Sequence, residues 1–313
     1  MRLEDKDRLY LQDLGVRRLY VHFFDLEWDI QAGRAVPSNE VRLAQVDWLP
    51  TDVVPVVYIS QEALHQLKVA DFGPLAEGLL QEIQTIQAKM GLASIPEIQM
   101  DCDWTPAYRE IYFGLLRALE GRKGRFFPGV PLSVTLRLHQ VKYSTKAGVP
   151  PVERGALMVY HTSTPFTLKD GNSILSLGEA KSYLADLGQY RLPLDIALPI
   201  FSWVVQFNRY GKFLRILHET RRKSLDRNPA LRKKGDLIYE AALDTFLGDS
   251  RVMKGDLLKW EQADLGDILS IEKYLRKRLH NCEINLILFD YDSSYIGGGN
   301  YGSVGDIKEI FKF

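Results

Sequence analysis

Cysteine is scarce in this chain: two in 313 residues, Cys102 and Cys282, far apart. Two cysteines cannot form a disulfide framework or, alone, a zinc site. Net charge is missing too. Forty Lys and Arg balance forty Asp and Glu, so no global field draws the chain to nucleic acid or to a membrane surface. No apolar run approaches the roughly 20 residues of a membrane span. Short catalytic signatures are absent: there is no G-x-S-x-G and no H-E-x-x-H. The glycines of GGGNYG (297–302) lack the Gly-Lys-Ser/Thr end of a phosphate loop and read as a flexible loop. Asp290 and Asp292 form too short a pattern for a calcium loop. No cofactor and no metal are therefore expected. The N-terminus MRLEDKDRLYLQDLG is charged and amphipathic rather than a leader. As written it implies the cytoplasm; with a leader already removed, it fits the periplasm or cell surface.

What the chain has is apolar residues, 46% of it, in short alternating runs. Period-two alternation marks strands. RRLYVHFFD (17–25), DVVPVVYIS (52–60), EIQMDCDWT (97–105), LSVTLRLHQV (132–141), GALMVYHT (155–162), PLDIALPIFSWVVQF (193–207) and CEINLILFDYD (282–292) read as strands, and RAVPSNEVRL (34–43) as a short extended piece. Helical spacing appears over 72–91, 105–124 and 176–190. Residues 208–281 read as mostly helical, with a solvated basic run, RRKSLDRNPALRKKGD (221–236). Strands alternating with helices imply parallel pairing through crossovers. A doubly wound sheet usually has a glycine-rich first turn; here FFDLEWD follows the first strand. The expectation is α/β, one (β/α)8 TIM barrel domain over 1–313, with a helical insertion before the last strand.

Such barrels place their sites at the strand C-termini, and polar residues collect there. The first strand ends in Asp25, with Glu27 beyond it; the third clear strand ends in Asp101, Asp103 and Trp104. Arg137 and His139 follow the next, then Tyr160 and His161, then Trp203, and finally Asp290. His22 lies within the first strand and reads as packing. Alternation puts Asp101 and Asp103 on one face, where an inward Asp101 beside Arg137 would form a buried ion pair. Carboxylates with aromatic platforms suit a carbohydrate: rings stack on Trp and Tyr, and acids bind hydroxyls.

These motifs resemble those of the chitinase-like family 18 glycoside hydrolases. QMDCDWT is similar to their fourth-strand Asp-Gly-x-Asp-x-Asp-x-Glu, with Asp101 and Asp103 on the second and third aspartates. LMVYHT resembles the sixth-strand Met-x-Tyr-Asp through Met158 and Tyr160, and LDIALPIFSW resembles a seventh-strand segment. The whole chain also resembles a group of bacterial barrel proteins without an assigned activity. The resemblance implies a glycoside hydrolase-like fold and a glycan partner. It also fails at three points. Thr105 stands where the family has its general-acid glutamate, Ile98 stands for the first aspartate, and His161 replaces the sixth-strand acid.

A hydrolase reading then needs another acid. Ordinary glycosidases use two carboxyl groups; Asp103 is the central candidate, with Asp25, Glu27 or Asp290 as the second and Asp101 one layer deeper. His139 is an alternative acid/base, its unperturbed pKa being ~6.5. Tyr160, Trp104, Trp203, His139, Arg137 and His161 would contact sugar. Two other readings stay open: a carbohydrate-binding protein that has lost catalysis, and a barrel scaffold. The sequence does not decide the glycan or the oligomeric state.

Overall fold

The computed structural model describes residues 5–41, 52–168, 171–218, 220–279, 284–291 and 304–310. Cys282, Asp292 and the 297–302 glycines lie outside them. The strands are β1 (Arg18–Asp29), β2 (Arg34–Ser38), β3 (Asp52–Ile59), β4 (Ile98–Asp101), β5 (Leu132–Arg137), β6 (Arg154–Met158), β7 (Leu194–Pro199), β8 (Ser202–Phe207), β9 (Phe213–Leu217), β10 (Leu231–Lys233), β11 (Ile238–Ala241), β12 (Thr245–Leu247), β13 (Ser250–Val252), β14 (Leu257–Gln262) and β15 (Leu286–Phe289). An eight-stranded, mostly parallel sheet has the order β15-β7-β6-β5-β4-β3-β1-β2. No closing pair is found among the described residues. The strand bearing Asp101 is the third of the parallel set, because β2 turns back antiparallel on β1.

The chain divides into two compact units. The first comprises 1–158, 186–196 and 281–285; the second comprises 159–185, 197–280 and 286–313.

In the first unit the strands bury Phe23, Phe24, Leu26, Val53, Val57, Met100, Val134 and Leu136. The helix Phe72–Lys89 buries Phe72, Ala76, Leu79, Leu80, Ile83 and Ile86, the three-to-four spacing of an amphipathic stripe. The helix Arg109–Phe126 packs beside it. Gly114 is required at their contact, since an added Cβ would run into the Phe72 ring. At the N-terminal ends of the strands, two buried carboxylates are held by polar partners. Glu97 takes Arg18 Nη1 at 3.1 Å and the Ser133 hydroxyl. Asp195 accepts from Arg154 Nη2 (2.9 Å), the Asn285 backbone N–H (2.8 Å) and its side-chain amide (3.0 Å). Burial raises the Glu97 pKa, against the opposing pull of Ser133 and Arg18.

The second unit corrects the expected helical insertion. Residues 208–262 form strands: β10-β11-β14-β8-β9 make an antiparallel sheet, and β12-β13 a hairpin. Only short Arg222–Arg227 and Leu265–Arg276 are helical between 208 and 279. Val204, Leu217, Tyr239, Leu258 and Trp260 are among the residues packed in its core. The apolar stretch 193–207 is two strands, β7 and β8, in different sheets.

Candidate functional site

In the first unit, parallel register aligns the C-terminal ends of three strands. Asp25 of β1 pairs with Tyr58 of β3, and Tyr58 with Asp101 of β4. A bulge between His22 and Phe24 shifts the alternation of β1, as an extra residue does. His22 therefore reaches Asp25, with Nε2 2.6 Å from Oδ1. The other Asp25 oxygen accepts from Asn39 Nδ2 at 2.7 Å. Asn39 holds φ +50° to do so, a left-handed conformation that asparagine tolerates. His22 is thus an exposed partner of an acid rather than packing.

Asp101 accepts from the Thr135 hydroxyl at 2.5 Å. One residue pair further along, Arg137 grips Asp103 with two N–H donors, Nε at 2.5 Å and Nη2 at 2.7 Å. The expected partner of Arg137 was Asp101; the guanidinium instead holds the acid nearer the strand end. Bidentate pairing is the strong form of this contact, though Asp103 remains 39% exposed, which limits its worth to stability. Gln61, at the start of the helix after β3, donates to the Asp103 carbonyl.

Burial raises the Asp101 pKa, and the charge of Asp103 adds to it against the Thr135 hydrogen bond. Tyr58 is raised by burial and then by Asp103 and Asp101. Burial lowers the His139 pKa, opposed by Asp103, which favours the neutral imidazole. The structure ends β5 at Arg137 and places His139 in the short helix Leu138–Lys142, correcting its assignment to the strand.

The unit thus gathers His22, Asp25, Tyr58, Asp101, Asp103 and Arg137. Glu27 is carried off on the exposed β1–β2 hairpin, where Ser38 donates to it at 2.6 Å. Trp104 is 1% exposed. Its ring stacks on Tyr112 and its Nε1 donates to the Ala147 carbonyl at 3.0 Å. This corrects its role as a sugar platform, because it faces the helix side with Met100 and Cys102. Thr105 is exposed. Tyr58, Thr135 and His22 were missed as site residues; register across strands reveals them, and a single strand read alone does not.

In the second unit, Tyr160, Phe201 and Trp203 are buried rings. Tyr160 stacks on Phe289 at 5.2 Å, and the exposed His161 stacks on Trp203 at 5.1 Å. His161 holds φ +54° and a non-proline cis peptide joins Phe289 to Asp290. Trp203 donates from Nε1 to Glu261 at 2.9 Å. Glu261 also receives the Ser173 hydroxyl and lies 2.8 Å from Lys259. This fully buried carboxylate on β14 was not foreseen from the sequence.

No family model matches the sequence, and no curated protein matches it. Solved structures do. The spore cortex-lytic enzyme SleL of Bacillus cereus superposes with TM-score 0.56 at 13% identity, over 99% of this chain and 70% of that one. A chitinase from Chromobacterium violaceum gives 0.53 at 11%, over 99% and 96%. The Group IV chitinase of Ostrinia furnacalis gives 0.53 at 10%, over 97% and 93%. At these identities the likeness shows a chitinase-like α/β fold.

Proposed function

We propose that the protein processes a glycan, as a glycoside hydrolase-like enzyme built on a (β/α)8 barrel, with the acid row of the first unit at the centre. The observation that carries this reading is the alignment of Asp25, Tyr58 and Asp101 by register, with Asp103 beyond them on Arg137. Adjacent strands lie ~4.8 Å apart, so Asp25 and Asp101 rise from backbones roughly 10 Å apart. Side chains from such positions can reach the carboxyl spacings of glycosidases, ~5–9.5 Å.

Asp103 is the central carboxylate, fixed by Arg137 to face a developing positive charge at the anomeric carbon. Asp25, set by His22 and Asn39, is the second acid. One carboxyl gives its proton to the leaving oxygen as the glycosidic C–O bond breaks. Water adds to the anomeric carbon, and its proton goes to the other carboxylate. Asp101, one position deeper in the row, has its pKa raised by burial. Within the first unit His139 is a further acid/base candidate; in the second unit the exposed His161 is the candidate sugar contact, whereas Tyr160 and Trp203 are buried.

A second reading, a carbohydrate-binding protein without catalysis, draws on two observations. Thr105 occupies the position of the family acid, and Arg137 already occupies both Asp103 oxygens. Sugar release from a panel of bacterial and host glycans separates the readings. Release by the natural protein, reduced about 100-fold or more in Asp103→Asn at unchanged melting temperature, is the expected result. Saturable binding without release would move the assignment to the binding protein. Neither release nor binding would favour the scaffold.

A further inference from the structure

The second unit holds a cleft of about 330 Å3 on its insertion sheet, lined by Arg209, Arg232, Lys254, Glu240 and Gly255 over a floor of alanine. We propose that this cleft binds the anionic group of a charged glycan, a carboxylate or a phosphate. The inference extends the glycan reading above to the class of polymer the protein meets.

The charge balance is the first argument. Residues 208–262 contain 13 Lys and Arg against 8 Asp and Glu, in a chain whose totals are equal. Such local asymmetry points to an acidic partner. Within the cleft, Glu240 is neutralised from outside by Lys234 at 2.7 Å. Nearby Asp244 is taken by Arg251 (3.3 Å) and by the Lys254 backbone N–H (2.8 Å), which hold its pKa below the ordinary value. The Arg232 and Lys254 side chains face no carboxylate at ion-pair distance among the described residues. Arg232 belongs to the basic run at 221–236, so part of that run has a defined place.

Geometry is the second argument. Arg209 donates from Nη2 to the Lys254 carbonyl at 3.1 Å, which pins its guanidinium at the cleft. Gly255 turns at φ +89°, and an added Cβ would lie 3.2 Å from Arg209 Cβ. The turn therefore brings Lys254 and Arg209 together. The cleft volume is at the low end for ligand pockets, ~300–1,000 Å3, and fits a single acidic ring rather than a nucleic-acid groove.

Binding to the 313-residue chain is measured with four probes: oligogalacturonate, poly(glycerol phosphate), a neutral chitin oligosaccharide, and single-stranded DNA. The expected result is binding of one anionic saccharide, weakened by salt, with little binding of the neutral one. Arg232→Ala with Lys254→Ala should lose at least tenfold in affinity. Lys223→Ala with Lys233→Ala, equal in charge but outside the cleft, should stay within twofold, and melting curves check that both fold. Which saccharide binds tells carboxylate from phosphate. Failure of both anionic saccharides to bind, equal losses in the two double variants, or equally tight DNA binding would overturn the proposal. Glycan release and its loss in Asp103→Asn test the hydrolase reading separately, since that residue lies in the other unit.

Discussion

Asp101 keeps a raised pKa in the acid row, and the direction fixes a stability prediction. A carboxyl whose folded pKa exceeds its unfolded value, ~3.9 for aspartate, stabilises fully below that value and loses this as pH rises through the folded pKa. At neutral pH the ionised form opposes folding. Asp101→Asn keeps an acceptor for the Thr135 hydroxyl and removes the charge. Thermal melts should show the variant above the natural protein at pH 7, with the gap closing towards pH 3; a gap that widens in acid would reject the assignment. Tyr58→Phe should leave the melting temperature within about 1 °C but reduce glycan turnover about tenfold or more, which kinetics at saturating substrate would read. Asp101 and Asp103 could be found in sequence because two aspartates in an alternating run are costly and conspicuous. Tyr58 was hidden, because a tyrosine in an apolar strand is ordinary until its neighbours across the sheet are known. For Trp104 the signal was present and misapplied: alternation already groups it with Ile98, Met100 and Cys102.

Among the elements, the parallel strands were legible because they are apolar and because β3, β4 and β5 are each followed by a helix. The insertion was not. Its strands β10, β12 and β13 have three residues each, too few to show a period, and Arg232, Lys233 and Arg251 on them look like solvated helix. The hairpin signals were there, in NRYG before β9 and LGDS between β12 and β13, since Gly, Asn and Asp mark turns. The division of 193–207 into β7 and β8 depends on pairing with different sheets, which no local pattern reveals. The pair of outer helices gives a sharper test. Gly114→Ala would drive a methyl into the Phe72 ring, an overpacking worth about 1–3 kcal/mol. Chemical denaturation should show that loss, and a partial rescue when Phe72→Leu is added.

At the scale of the whole molecule, the chain leaves and re-enters each unit. Residues 1–158 supply most of the first unit but lack 186–196 and 281–285. Expressed alone, they would leave Arg154 without Asp195 and expose the edge of β6. The fragment should show no cooperative melting transition and should bind a dye for exposed apolar surface; a sharp transition would show that the missing segments are dispensable. Sequence reading expected a single domain because no linker interrupts the chain, and composition alone carries no trace of the interleaving. The buried Asp195 gives this layout a consequence in time. Two of its hydrogen bonds come from Asn285, 90 residues later. At roughly 5–20 residues per second of synthesis, that partner is made on the order of 5–20 s after the carboxylate. Until then a group destined for the interior stays wet, so the first unit cannot finish folding on the ribosome before Asn285 has been translated.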